Sequence, residues 1–187
     1  AATAGITSSA DGTAMTIDSS ERIVMPSQPM FYATSISAVS GGSLVSVGSS
    51  PGVIYNDSNQ TTYTAQAVSF NKIWLNVGSH WSNTTGQFTV PVTGRYLAYF
   101  NNNYHGTTSW PNSVVIHSVN GGNHYQMAQG WQNITITGAD AYFPCISLAV
   151  FQATASDKIW PAYYSEYNSP TTQTSYGYHQ CAIMLLG

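Results

Sequence analysis

The chain has 187 residues, of which 43% are hydrophobic and 13% aromatic, whereas only 6% are charged. This apolar composition excludes a disordered chain, and the length suits one domain with a substantial core. The net charge of −3 includes only four cations, which excludes a basic surface for nucleic acid. No apolar run is long enough to span a bilayer, so we expect no membrane insertion.

Residues 1–29 are small and polar, with two short strand-like pieces at 14–17 and 22–25 around a polar turn. A segment of this composition cannot bury enough surface to fold alone, so it must pack on the following domain or on copies of itself. It also lacks the basic start and long apolar stretch of a signal peptide. We interpret residues 1–29 as a stalk or linker segment and residues 30–187 as a head domain.

The remainder of the chain favours β-strands, because helix formers are scarce and no window carries a helical period. Residues 134–137 and 146–151 alternate between two sets of side chains, which predicts strands of a sheet with differing faces. Residues 114–119 run into Asn120-Gly121, a strong β-hairpin signal because both residues tolerate positive φ. Short strands between Gly, Pro and Asn turns indicate an all-β sandwich or jelly roll.

The two cysteines, Cys145 and Cys181, are too few for a disulfide framework. Each lies in an apolar segment with strand character. This position favours two buried free thiols over a single disulfide bond. The cysteine content therefore leaves the redox compartment open.

Residues 69–105 resemble the signature of the C1q domain. This signature has an Asn-x-Gly turn, an aromatic residue, a Thr-Gly-x-Phe segment, a proline, and a Gly-x-Tyr that leads an aromatic strand. The matching residues are Asn76, Gly78, Trp81, Thr85, Gly86, Phe88, Pro91, Gly94, Tyr96 and Phe100. Gly86 and Gly94 stand where turns need a permissive backbone.

The flanking segments resemble further parts of the same domain. Residues 29–33 look like its first strand, and residues 182–186 look like its last strand, which is buried beside the first. Residues 155–160 resemble its Gly-Asp-x-Val-Trp segment, with Ser156 in place of the usual glycine. In all, the resemblance covers about 155 residues, and its central signature is the most specific part.

The resemblance to the C1q/TNF-like head domain implies a ten-stranded all-β jelly-roll sandwich that assembles as a tight homotrimer and binds rather than catalyses. Four aromatic residues are then expected in the core or the trimer interface: Phe88, Tyr96, Phe100 and Trp160. Residues 11–23 look like segments that precede distal head domains in tail fibres of bacteriophages, especially marine ones. We therefore expect a virion surface protein, from a tail fibre or similar appendage, whose N-terminal segment contacts other virion proteins.

Catalytic and metal-binding patterns are missing from the sequence. There is no Gly-x-Ser-x-Gly elbow, His-Glu-x-x-His helix or phosphate-cradling glycine loop, so we expect no catalytic residues. The five histidines are dispersed, without the close spacing of metal ligands, so we expect neither a metal nor another cofactor. In a trimer, one histidine from each copy could together form a metal site on the three-fold axis, and His105, at the end of the aromatic strand, is the weak candidate for that position.

Several segments combine aromatic rings with amides and hydroxyls, which is the composition of adaptable binding loops. Such rings stack on the apolar faces of sugars, so a host cell-surface receptor is the expected partner and carbohydrate is a candidate ligand. The candidate receptor-binding residues are Tyr104, Trp110, His124, Tyr125, Trp131, Tyr164 and Tyr167. The competing interpretation places these aromatics at a subunit interface or in the core, because interfaces favour Tyr and Trp.

The sequence thus predicts a receptor-binding head in which three copies turn weak contacts into avidity. Two alternatives stay open. One is a structural virion protein of the same fold, such as a capsid or decoration protein. The other is a secreted C1q-like lectin, for which four glycosylation acceptor patterns would matter: Asn56, Asn59, Asn83 and Asn133.

Overall fold

A computed structural model describes the backbone at residues 6–7, 13–17, 19–20, 23–25, 27–34, 54–55, 66–70, 72–105, 111–120, 124–131, 142–165 and 179–187. Some of the strand residues, among them 103–105, 131 and 163–165, are described by their backbone alone. Every regular element within these ranges is a β-strand, which confirms the all-β prediction. The same ranges contain no helix long and apolar enough to cross a bilayer.

The N-terminal segment forms a three-stranded antiparallel sheet. Its strands are β1 (Ile6–Thr7), β2 (Thr13–Ile17) and β3 (Ile23–Val24). The structure confirms the two predicted strands as β2 and β3, which pair directly. β1 is a third strand that the sequence did not indicate. A sheet this small has little apolar surface to bury, as expected for a segment that depends on other contacts.

The head contains twelve strands among the described residues. They are β4 (Met30–Thr34), β5 (Ile54–Tyr55), β6 (Gln66–Ala67), β7 (Lys72–Val77), β8 (Trp81–Ser82), β9 (Gln87–Thr89), β10 (Gly94–His105), β11 (Pro111–Ser118), β12 (His124–Trp131), β13 (Tyr142–Ala153), β14 (Lys158–Ser165) and β15 (Gln180–Leu185). Ten strands were expected, and several of the twelve are only two residues long.

The twelve strands form two sheets. One has five strands in the order β13-β10-β15-β4-β7, and the other has seven, in the order β5-β12-β11-β14-β9-β8 with β6 beside β14. Pairing is antiparallel except between β5 and β12. The first and last strands of the head, β4 and β15, lie side by side with Phe31 opposite Ile183, as the resemblance implied.

The hydrophobic core lies between the two sheets. From the five-stranded sheet it takes the inward residues of β4, β10, β13 and β15, and from the other sheet Phe88, Val115 and Ile159. The rings of Phe31 and Trp81 stack with their centroids 4.2 Å apart. Both cysteines are buried and neither forms a disulfide bond, which confirms the sequence-based expectation, and Cys181 belongs to this core. Burial raises the pKa of Cys145 to about 11, so the thiol stays protonated at neutral pH.

The predicted hairpin and strand alternation are confirmed. Strands β11 and β12 pair antiparallel across the segment that contains Asn120. In β13, Ser147, Ala149 and Phe151 are buried, whereas the residues between them are exposed. The alternation at 134–137 lies outside the described residues.

The glycines of the signature have different roles. Gly86, at φ +65°, has the left-handed backbone that the sequence predicted. The same expectation is wrong for Gly94, whose φ is not positive. A Cβ at Gly94 would lie 2.6 Å from Leu185 Cδ1, so glycine is favoured there by close packing of β10 against β15.

The sandwich has two ends. The chain enters the head at Met30, and we call this the entry end. Antiparallel register places Leu185 opposite Tyr96 and Ala153 opposite Gly94 at the same end. At the other end, here called the distal end, His105 of β10 faces Tyr142 of β13.

Candidate functional site

Many strand termini meet at the distal end. β4, β10, β12 and β14 end there, and β7, β11, β13 and β15 begin there. Three candidate receptor-binding residues occupy these termini. Trp131 and Tyr164 lie directly opposite Asn112 on its two neighbouring strands, and Tyr104 lies opposite Phe143. The fold therefore brings three positions that are far apart in the sequence to one end of the molecule.

Two further candidates, Trp110 and Tyr167, lie outside the described residues. The remaining two, His124 and Tyr125, begin β12 and therefore lie at the entry end, away from the distal group. His105, considered for a site on a three-fold axis, is the last residue of β10 at the distal end. Seven candidates are thus divided between two ends and two segments that are not described.

His124 takes part in a local hydrogen-bond network at the entry end. Its Nδ1 lies 2.6 Å from Ser118 Oγ, which also accepts a hydrogen bond from Trp160 Nε1 at 2.8 Å. The His124 and Trp160 rings meet edge to face with centroids 6.3 Å apart. Burial lowers the pKa of His124, which favours the neutral imidazole. These contacts explain His124 as a packing residue of the hairpin.

A buried carboxylate, Asp157, joins two turns at the same end. It accepts hydrogen bonds from the backbone N–H groups of Asn120 and Thr154 at 3.0 and 2.8 Å. Its Oδ2 lies 2.7 Å from His117 Nε2. Burial alone would raise the pKa of Asp157, but these hydrogen bonds hold it below the usual value. The arrangement ties the β11–β12 hairpin to the turn between β13 and β14.

The four aromatics expected in the core or the interface lie in the interior of the single chain. Phe88, Tyr96, Phe100 and Trp160 are each 0% exposed. Phe88, Tyr96 and Phe100 belong to the core between the sheets. Trp160 packs on the other side of its sheet with Val114 and Ile116.

Sequence reasoning missed a feature of the five-stranded sheet, namely the apolar character of its outer face. Two adjacent cross-strand rows there contain only apolar and tyrosine side chains. One row is Leu148–Tyr99–Ala182–Tyr32–Leu75, and the next is Val150–Leu97–Met184–Met30–Val77. Leu148 and Val150 are each 58% exposed in the single chain, and Leu75 is 43% exposed. We call these ten residues the apolar face.

The apolar face spans the sheet from one edge strand to the other. β13 lies at one edge, where Ile146 extends its exposed apolar surface. β7 lies at the opposite edge, where Ile73 and Trp74 are also exposed. Neighbouring rows contain the polar residues Arg95 and Gln180, which limit the apolar surface along the strands. Leu75, Leu148 and Val150 are the exposed members of the apolar face, and the other seven are partly buried. Contiguous apolar surface of this kind is typical of interaction sites.

Among the residues that the structure describes, no three His, Cys, Asp or Glu side chains lie close enough together to hold a metal ion. The described part of the chain therefore offers hydrogen-bonding and apolar surfaces and no assembled ligand set for a cation.

The folded architecture defines the class of protein: a C1q/TNF-like jelly roll. Residues 53–119, about a third of the chain, match the family model of the C1q domain. This segment contains the predicted signature at 69–105 and includes β11, the first strand of the β11–β12 hairpin. A comparison with curated protein sequences gives no match.

Solved structures with the same fold include the globular domain of a zebrafish complement 1qA protein. That structure has a TM-score of 0.58 and 16% identity, and the alignment covers 86% of this chain and 98% of the zebrafish chain. Murine APRIL, in its structure at pH 5.0, has a TM-score of 0.53 and 16% identity, with 84% of this chain and 99% of that chain covered. These similarities establish the fold.

Proposed function

We propose that the protein is the receptor-binding head of a fibre, that it assembles as a homotrimer through the apolar face, and that it binds its target with the distal end. The observation that supports this proposal best is the apolar face itself. Monomeric proteins rarely expose a contiguous apolar surface of more than a few hundred Å². Burial against copies of the chain would remove it from water.

The position of the apolar face favours a ring of subunits. Its two exposed margins, near Leu148 on β13 and near Leu75 on β7, lie at opposite edges of the same sheet. Contact between one margin and the opposite margin of a neighbour is heterologous, and heterologous contacts close into rings when the rotation permits. A ring of three matches the assembly that the resemblance to the C1q/TNF-like domain implies.

The distal end is the proposed receptor-binding surface. It lies opposite the point where the N-terminal segment enters, so a head carried on a stalk would present this end outward. Trp131, Tyr164 and Tyr104 occupy strand termini there. Uncharged aromatic and amide groups bind a neutral target by stacking and hydrogen bonding. Carbohydrate on the surface of a host cell is the candidate ligand with this chemistry.

The proposed location is the surface of a virion, specifically a bacteriophage tail fibre or similar appendage. The resemblance of residues 11–23 to segments before phage fibre heads supports this placement, with residues 1–29 as the stalk that contacts other virion proteins. The β1–β3 sheet in that stalk is too small to be stable alone, so contacts with other copies would complete it.

Binding of the isolated protein to whole bacterial cells tests the receptor-binding role. A purified adhesive head binds susceptible cells without the remainder of the virion, whereas a structural virion protein of the same fold does not. We expect Trp131→Ala to weaken this binding while the melting temperature of the assembly changes little. An equal loss of binding and stability would instead assign Trp131 to packing.

The structure bears on one of the four glycosylation acceptor patterns that would matter for a secreted lectin. Asn83, one of the four glycosylation acceptor patterns, already uses its amide to brace a turn. Its Nδ2 donates to the Phe70 carbonyl at 3.0 Å, and its Oδ1 accepts from the Phe70 N–H at 2.8 Å. A glycan on Nδ2 would compete with this contact, so Asn83 favours a structural role.

A further inference from the structure

The inward face of β10 changes character along its length. Tyr96, Ala98 and Phe100 point into the hydrophobic core and are at most 1% exposed. Two residues further on, at the distal end, the same face presents Asn102, which is 0% exposed. The core therefore ends in a polar residue just before the proposed binding surface.

Two more buried polar side chains accompany Asn102. Asn101 lies opposite Gln180, so the next positions along the two strands place Asn102 beside His179. The His179 ring packs near Phe100, with centroids 6.5 Å apart. From the opposite sheet, Ser113 lies two residues before the core residue Val115 on β11 and is 0% exposed. We call Asn102, Ser113 and His179 the distal polar layer.

The distal polar layer is deficient in hydrogen bonds. Both amide atoms of Asn102, Oγ of Ser113 and Nδ1 of His179 are buried and have no hydrogen-bond partner among the residues that the structure describes. A buried donor or acceptor left unpaired costs about 1–3 kcal/mol. Few such groups occur in native proteins, and those that do can mark a store of strain.

The entry end is the opposite case. Ser118, on the same strand as Ser113, interacts through its hydroxyl with both Trp160 and His124. The Asp157 carboxylate there has three hydrogen-bond partners. The buried polar groups named at the entry end are thus bonded, whereas those of the distal polar layer are unpaired, although the nearby Thr34 hydroxyl accepts a hydrogen bond from Trp74 Nε1 at 2.9 Å. The free energy that resists local opening therefore differs between the two sets.

We propose that the distal polar layer makes this end of the head a local unfolding unit, which opens more readily than the rest of the sandwich and so regulates the distal binding surface. The regulatory part rests on the proposed receptor-binding function. Opening breaks backbone pairing at either end, but here it also lets water reach unpaired side-chain atoms, whereas at the entry end it would break side-chain hydrogen bonds as well. Reclosure around a bound target would then offer these atoms new partners.

Hydrogen exchange of the full-length protein, with matched serine variants, tests this proposal. We expect amides of residues 100–105 and 180–182 to exchange at least tenfold faster than those of 94–98 in wild type. Ser113→Ala should leave the urea midpoint unchanged or raise it and should slow distal exchange. Ser118→Ala, the same change on the same strand, should lower the midpoint. Asn102→Leu, which removes two unpaired atoms at similar volume, should slow distal exchange and weaken binding to cells.

Other outcomes contradict the proposal. If Ser113→Ala lowers the midpoint as much as Ser118→Ala does, the Ser113 hydroxyl is bonded in solution and the layer stores no strain. Equal hydrogen-exchange rates for amides at the two ends of β10 would also show that the distal polar layer does not promote local opening. If Asn102→Leu slows exchange but binds cells like wild type, the regulatory part fails. If wild type binds no cells, the proposed receptor-binding function is wrong. The proposed local opening of the distal end is then still decided by the hydrogen-exchange rates alone.

Discussion

Ser156 has a backbone conformation that suits glycine better than serine. It occupies the third position of a turn in which the Asp157 N–H donates to the Thr154 carbonyl, and its φ is +79°. A positive φ at this position is characteristic of a type II turn, in which Gly or Asn is favoured. The similar segment of the C1q domain has glycine at this position, and the positive φ of Ser156 explains why glycine is favoured there.

Ser156→Gly should therefore stabilise the head. A residue with a side chain loses about 1–2 kcal/mol of stability in a left-handed backbone conformation, and glycine avoids this cost. Glycine also makes the unfolded chain more flexible, which offsets part of the gain. We expect a gain of about 0.5–1 kcal/mol in urea unfolding. Ala155→Gly is the matched control in the same turn and should lose stability, because Ala155 lacks a positive φ. A loss in both variants would show that turn flexibility outweighs strain.

His179 should make the stability depend on pH. Burial lowers its pKa from 6.5 to about 4. Between pH 6.5 and about 4, His179 is protonated in the unfolded chain but remains neutral in the folded chain. The free energy of unfolding therefore decreases as the pH falls through this range. With about 1.4 kcal/mol per pKa unit, the loss is on the order of 3 kcal/mol.

The measurement is urea unfolding of wild type and His179→Leu between pH 7 and 4. The described neighbours Phe100 and Asn102 carry no charge that would offset protonation of His179. The lowered pKa of His124 adds a slope of the same sign in both proteins, so the difference between them isolates His179. Parallel pH profiles would contradict the assignment.

At the scale of elements, β12 and β13 approach each other closely at Gly130. A Cβ there would lie 2.0 Å from the carbonyl oxygen of Ile146, which is fixed backbone. Gly130→Ala should therefore force the two strands apart and cost about 3 kcal/mol or more in urea unfolding.

Gly94→Ala is the comparison for this effect. Its nearest obstacle is Leu185 Cδ1, the end of a flexible side chain, so we expect a smaller loss of about 1 kcal/mol. Equal losses in the two variants would mean that the approach of β12 to β13 is looser in solution.

Strand identity could be predicted from the sequence more readily than strand orientation. The alternation at 146–151 predicted a strand with two different faces, and β13 has them. Both faces of this strand carry apolar side chains, however, so periodicity alone cannot tell which one points into the core. Ile146, Leu148 and Val150 point outward because Phe151, Ala149 and Ser147 fill the space between the sheets. The apolar face was therefore beyond sequence reasoning.

The candidate site was predictable only in part, for a related reason. Aromatic and amide composition marked the segments but not their positions in the fold. Trp131 and Tyr164 come together at the distal end because β11 lies between their strands. His124 has a similar local composition, yet it lies at the entry end and bonds Ser118. Which end a residue reaches depends on strand direction, which only the pairing register reveals.

At the scale of the whole molecule, the low charge content should affect binding. Lys72, Arg95 and Lys158 are the cations of the described head. Lys72 begins β7 at the distal end, whereas Arg95 and Lys158 lie at the entry end, so the cations do not cluster at the proposed binding surface. Short-range stacking and hydrogen bonding are screened little by salt, whereas long-range attraction is screened strongly. We expect binding to susceptible cells to change less than about threefold between 50 and 500 mM NaCl. A steep fall would require a charged contact surface.

The trimer through the apolar face is the central claim, and native mass spectrometry of wild type beside Leu148→Asp tests it most directly. Leu148 is 58% exposed in the single chain, so aspartate there should be tolerated by the fold but should disrupt an apolar interface. Thr84→Asp, on an exposed turn, is the control of equal charge. We predict a trimeric mass for wild type and Thr84→Asp, and a folded monomer for Leu148→Asp. A monomeric wild type, or a trimer that Leu148→Asp leaves intact, would contradict the claim.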